Sequence, residues 1–336
     1  MDPFTHGLSG AILARSFPKT PIPHRYVWLL AAVAMLPDID YLLKYISDLT
    51  YLRYHRGITH SFLMLPMWSW LIYSLLPLQR DRQPYMPWLI GAALAAHIFL
   101  DLVTSFGTMI LAPLSDMRAS LDLLFIIDPI FSALLLLPLV MMPLLKSHVR
   151  LLGIVSLLLM GIYLVTTLIF HEKAVALTRQ HHPEAEHVYA LPQPFSPFRW
   201  MLIASHPLKE SRSSVDFFPE FSGSAALFPD SLVNQFAYDH AAAGMRWQEF
   251  PAMRGVDGIS RLPGVAFYRW FARFPVLISR SEHAIEFADL RFETMNMERK
   301  SFRLHIDLGE TPRAWLLWRE ERKMELTESE APSTSW

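Results

Sequence analysis

Polar groups set inside long apolar runs constrain this chain more than any other feature of its sequence. The run Phe62 to Leu78 is entered through His55-Arg56-Gly57-Ile58-Thr59-His60-Ser61. The run Val27 to Leu36 ends in Pro37-Asp38-Ile39-Asp40, and the run Trp88 to Leu111 carries His97 and Asp101 within it. Thr5-His6 stands in a shorter apolar stretch. An ionisable group in a membrane-like segment is expensive and needs a partner. A cation shared among these residues is such a partner.

Run lengths predict an α-helical, multi-pass membrane domain of about five spans plus a short N-terminal helix, followed by a β-rich soluble domain. Residues 4–17 form the short helix, and the spans fall near 26–46 (with a break at Pro37), 59–78, 88–111, 121–145 and 151–170. The tendency of Lys and Arg to stay on the cytoplasmic side orients them. With the first helix starting outside, seven basic residues fall inside (Arg15, Lys19, Arg25, Arg80, Arg82, Lys146 and Arg150) and four outside (Lys44, Arg53, Arg56 and Arg118). That arrangement puts His6, Asp38, Asp40, His60 and Asp101 in the outer half, and the C-terminal domain on the outer side.

Composition supports a membrane protein with two unlike halves. The chain is 52% hydrophobic and 18% charged, against about 25% charged residues in ordinary soluble domains. The apolar excess lies mostly before residue 172. A formal net charge of -1 gives no electrostatic case for a nucleic-acid partner. The absence of cysteine excludes disulfides, thiolate ligands and cysteine nucleophiles. From 172 to 324 short alternating runs predict strands, most clearly Phe302-Arg303-Leu304-His305-Ile306-Asp307-Leu308. Residues 1–171 are thus expected to form the membrane-embedded domain, 172–324 the β-rich one, and 325–336 a disordered tail.

His97 and Asp101 are four apart, so on a helix they share a face and can hold one ion; a hydrogen-bonded pair is the plainer reading. Asp38 and Asp40 follow a proline, where either can ligate or simply end a helix in solvent. His60 precedes a run that Thr59 and Ser61 can cap. His55 and Arg56 can meet lipid head groups, or Arg56 can bind a substrate phosphate in bidentate fashion. Asp128, in Asp128-Pro129, either supports the site or caps a helix kink. The tail histidines His171, His181, His182 and His187 form a weaker cluster. Histidines with carboxylates are nitrogen and oxygen ligands that suit zinc, or another divalent ion such as manganese. More than four of them allow two metals sharing an aspartate.

Thr5-His6, Leu36-Pro37-Asp38-Ile39-Asp40, His55 to Ser61, His97 to Asp101, Pro113-Leu114-Ser115 and Ile127-Asp128-Pro129 together resemble the YdjM-like family of bacterial membrane-bound, predicted metal-dependent hydrolases. The likeness covers roughly residues 1–170. That family in turn resembles zinc-dependent phospholipase C and P1-type nucleases. The resemblance implies an inner-membrane location and His6, Asp38 or Asp40, His60, His97 and Asp101 as metal ligands. Asp289-Leu290-Arg291-Phe292 resembles a stretch of the family's longer members. The function expected is hydrolysis of a phosphoester, lipid-linked or otherwise, with Arg56 or His55 steadying developing charge. The alternative is a non-catalytic membrane scaffold or stress-related protein with a structural metal and the β-rich tail as its binding module. An ion transporter would need polar groups through both halves of the membrane, and the inner half is nearly clean.

Overall fold

The computed structural model describes residues 1–17, 22–76, 85–218, 245–262, 264–293, 302–318 and 322–326. The chain divides into two compact units, Met1–Leu168 and Ile169–Trp336.

The first unit is helical: α1 (Pro3–Ser16), α2 (His24–Met35) continued by a 3-10 segment (Leu36–Tyr45), α3 (Asp48–Tyr54), α4 (Leu65–Leu75), α5 (Met86–Leu102), α6 (Pro129–Met141) and the start of α7 (Val149–His181). Proline opens several of these helices, in α1, α4, α5 and α6 and in the 3-10 segment. Its fixed φ suits a first turn, where its missing N–H costs nothing. The core is apolar, with Ile12, Leu30, Ala34, Ile90, Ala93 and Phe131 among its buried members.

The five expected spans are not found. Among the described residues, two helical stretches are long and apolar enough to cross a membrane, His24–Tyr45 and Lys146–His181. The apolar runs near 59–78, 88–111 and 121–145 contain helices of 11, 17 and 13 residues. At 1.5 Å per residue these reach about 17, 26 and 20 Å, short of a hydrocarbon core of about 30 Å. The remainder of the last two runs folds back as irregular chain: the Leu121 amide donates to the Leu102 carbonyl, the Leu123 amide to Val103, and Thr108 pairs with Ala119. The charge count over five crossings therefore does not orient the chain. Large apolar side chains still face outward, among them Trp28, Trp70, Trp88, Leu158 and Ile162, as expected where lipid is the solvent.

The second unit takes the end of α7 and two antiparallel sheets. One has the order β1 (His187–Pro192), β2 (Arg199–Ser205), β3 (Lys209–Asp216), β4 (Gln248–Pro251). After a short helix, α8 (Val265–Phe271), the other runs β5 (Pro275–Arg280), β6 (Ala284–Asp289), β7 (Arg303–Asp307), β8 (Arg313–Trp318), β9 (Arg322–Leu326). The expected alternation of β7 places Leu304 and Ile306 in the core. Leu191, Met201 and Ile203 of the first sheet pack with Phe274, Val276 and Leu290. Strand β9 runs through Leu326, and the rest of the segment expected to be disordered, 327–336, lies outside the described residues.

Candidate metal centre

Helices α1 and α5, the 3-10 segment after α2 and the His60 turn converge on one buried point. Asp2 caps α1 by accepting the Thr5 amide at 3.0 Å. His6 then stacks on His97 of α5, with ring centroids 3.7 Å apart. The stack requires α1 to lie close on α2, and Gly10 permits it: a Cβ there would stand 2.3 Å from the Leu30 carbonyl oxygen. His60 ends a short 3-10 turn, Ile58–His60. Its loop is latched down where the Ser61 hydroxyl donates to the Ala112 carbonyl (2.6 Å) and the Phe62 amide to that of Ile110 (3.0 Å).

His6, His60, His97 and Asp101 are fully buried, while Asp38 keeps a 19% exposed side chain. His60 Nε2 lies 2.9 Å from His97 Nε2, 3.1 Å from Asp101 Oδ2 and 3.4 Å from Asp38 Oδ1. His97 Nε2 lies 3.5 Å from Asp101 Oδ2 and 3.7 Å from Asp38 Oδ1. Nitrogen and oxygen ligands placed tetrahedrally about zinc stand about 3.3 Å apart, and these separations bracket that value.

The hydrogen bonds behind the two imidazoles decide their tautomers. His97 Nδ1 is 2.6 Å from the Ala34 carbonyl, which can only accept, so the proton is on Nδ1. His60 Nδ1 is 2.9 Å from the Thr59 hydroxyl, whose own hydrogen goes to Asp40 Oδ2 at 2.9 Å. His60 must therefore donate as well. Two Nε2 lone pairs then face each other beside two carboxylates. An extra proton would settle one pair; a divalent ion settles all four groups at once. His6 adds to the case, because neither of its ring nitrogens has a hydrogen-bond partner and Nε2 is 3.3 Å from Asp101 Oδ1. Buried polar atoms without partners are rare and costly. The Met1 amine also meets Asp101 Oδ1. The residues present fit a divalent cation.

Asp40 stands apart from these four donors, behind His60. Its Oδ1 is 2.8 Å from His55 Nδ1, and its Oδ2 accepts the Arg56 amide at 3.0 Å. A carboxylate in that position orients a ligating imidazole and raises its basicity. Asp38, Asp40 and His55 also offer donor atoms within 4.8 Å of one another, so Asp38 is common to two possible groups.

Arg56 is buried and holds φ at 61°, an uncommon conformation for a long side chain. Its neighbours impose it: Asp40 takes its amide, and its carbonyl accepts the Met109 amide at 2.9 Å. Gly57 follows because a Cβ there would stand 2.7 Å from the Tyr54 carbonyl oxygen. The guanidinium is spent largely on the centre itself, with Nη2 2.9 Å from Asp101 Oδ1 and Nη1 2.9 Å from Thr104 Oγ1. Its Nε has no partner.

A cavity of about 760 Å³ adjoins the site. Asp38, His55 and Arg56 line it on the polar side, and Met35, Leu36, Ile39, Leu42 and Ile126 supply apolar wall. Leu36 and Leu42 remain 38% and 56% exposed, so the wall continues into the apolar outer surface. Asp128 caps α6 through the Phe131 amide (2.9 Å) and accepts from the Tyr163 hydroxyl (2.8 Å), which makes it an anchor between helices. Thr104 and the Ala34 carbonyl were not legible as site groups. Thr104 had only its position one turn beyond Asp101 as a signal, and a backbone carbonyl has none.

A helical membrane unit with a buried histidine–aspartate centre is the class that fold and site define. The chain belongs to the family described as YdjM inner membrane protein, whose model matches residues 1–174. It is also similar to the uncharacterized protein YfhP of Bacillus subtilis (strain 168), 30% identical over 138 residues. That match covers 38% of this chain and 42% of YfhP, so the chain spans less than half of that relative. No solved structure matches the chain.

Proposed function

We propose that this protein is a membrane-bound metal-dependent hydrolase of phosphoesters carried on amphipathic, lipid-like molecules. The observation that carries this reading is Asp38, which faces the His60–His97–Asp101 cluster and also lines an apolar-walled cavity. When bound, a divalent ion of zinc's class supplies Lewis acidity toward a phosphoryl oxygen and lowers the pKa of water. His60 and His97 offer their Nε2 atoms, held in place by Asp40 with Thr59 and by the Ala34 carbonyl. Arg56 balances Asp101 and, lining the cavity, brings positive charge toward the phosphoryl group. His55, paired to Asp40 through Nδ1, is the cavity-lining imidazole placed to take or give a proton. The apolar wall excludes water and takes the substrate's hydrocarbon portion.

The test begins with metal content by elemental analysis on detergent-purified protein, wild type beside His97→Ala and Asp101→Ala. One equivalent of zinc or manganese, missing from both variants, is expected. Turnover of phospholipid in mixed micelles, and of a soluble chromogenic phosphodiester, should then fall at least a hundredfold in Asp38→Asn. Folded wild type without metal after supplementation would sink the reading. Bound metal with no turnover would make the ion structural and the protein a membrane scaffold.

A further inference from the structure

The second unit holds another convergence of histidine and carboxylate that the centre above does not use. Two His-Pro turns create it. In the first, which follows α7, the Ala185 amide donates to the His182 carbonyl at 3.1 Å around Pro183 and Glu184. In the second, between β2 and β3, the His206 amide donates to the Lys209 carbonyl at 2.9 Å around Pro207 and Leu208. Proline after the first residue is the usual builder of such turns, since its φ is already set. The register of β1 on β2 pairs His187 with Ser205 and so brings the two turns to the same end of the sheet.

Their side chains meet there. His182 Nδ1 lies 3.5 Å from Glu184 Oε1, and His206 Nδ1 lies 4.0 Å from the same oxygen. The two rings sit edge to face, 5.4 Å between centroids. One donor atom from each of the three residues falls within 4.8 Å of the others. His206 is 95% buried, and both histidines present Nδ1 to the same Glu184 oxygen. Trp247 packs against His182 at 4.2 Å and restricts its rotation. The nearby Lys209 ammonium pairs with Glu249 at 2.7 Å, which offsets part of its repulsion toward a cation.

We infer that His182, Glu184 and His206 form a second divalent-metal site, for an ion of zinc's class, independent of the His60–His97 centre. Two imidazoles and one carboxylate are the ligand types zinc takes when a fourth position is left to water or another ligand. Glu184, 64% exposed, closes on the ion from the solvent side. Bound metal would tie the end of α7 to the β2–β3 turn.

The test uses the full chain in detergent, stripped with a chelator and then equilibrated with zinc by dialysis, with zinc per chain read by elemental analysis. His206→Ala and Glu184→Lys should each hold one equivalent fewer than wild type. The same loss should appear when either is combined with His97→Ala. Because Glu184 is exposed, Glu184→Lys keeps the test sound if His206→Ala does not fold. Equal zinc per chain in wild type and Glu184→Lys overturns the inference, whether or not the His97 centre binds metal.

Discussion

Both units bury charge, but they leave it differently matched. In the second unit Asp289 and Arg291 pair through Oδ2 at 2.7 and 2.8 Å, and Asp289 also accepts the amides of Arg273, Phe274 and Arg291. Glu293 and Arg303 form a two-pronged pair at 2.7 and 2.8 Å. Each carboxylate there has a guanidinium of its own. In the first unit Asp101 has the Arg56 guanidinium on Oδ1, but its Oδ2 and Asp38 face imidazoles whose Nε2 atoms have been turned toward one another. Matched buried charge holds a fold together, whereas buried nitrogen and oxygen atoms left facing one another are a group that could hold an ion.

The contrast breaks most severely if a matched pair is halved. Asp289→Ala leaves Arg291 buried without its carboxylate, and a loss of about 3–5 kcal/mol is expected, read by urea denaturation and unaffected by zinc. A metal-sensitive loss would mean that the second unit's charges also wait on an ion.

Glu210 gives the next largest effect. Its carboxyl is 5% exposed, accepts from Ser205 at 2.9 Å and lies 3.4 Å from Arg254. Burial outweighs those partners and pushes it up to about 7. The folded state therefore holds this proton more tightly than the unfolded chain does. Stability of the second unit should fall as pH rises from about 4.5 to about 7, by up to about 3 kcal/mol, and stay level above. Glu210→Gln should flatten that profile in thermal melts. An unchanged slope would remove Glu210 as its source.

Zinc sharpens the comparison from the other side. At a hundred times its dissociation constant it should stabilise the first unit by about 2.7 kcal/mol, seen as a raised thermal midpoint of that unit in Glu184→Lys and not in Glu184→Lys combined with His97→Ala. A smaller change is expected from Asp40→Asn, which keeps the four donor atoms and alters only what stands behind His60. Its zinc affinity should drop about 10- to 100-fold, measured by competition with a chromophoric chelator. Loss of a full equivalent of zinc would make Asp40 a ligand itself.

Much of the first unit could be read from side chains alone. Pro37 marked the break after α2, and the i, i+4 spacing of His97 and Asp101 put both on one face of α5. The number of spans could not be read, because an apolar run looks alike whether it crosses lipid or packs on protein. The 103–128 stretch is apolar yet irregular, its backbone satisfied by Leu102, Val103 and Thr108. Strand β3 escaped for the opposite reason. Its Ser211, Arg212 and Ser213 are polar but fully buried, so no alternation of hydropathy announces it.

The kinds of side chain a cation could meet were thus determined by the sequence alone: histidines and aspartates, no thiolates, set at the edges of apolar runs. Only the tertiary structure decided that Asp40 stands behind His60, that the Ala34 carbonyl turns His97, and that His206 meets His182. The first of those contacts joins residues 20 apart and the second residues 63 apart. Such contacts depend on how helices and strands pack, and a backbone carbonyl presents the same atoms at every position along the chain.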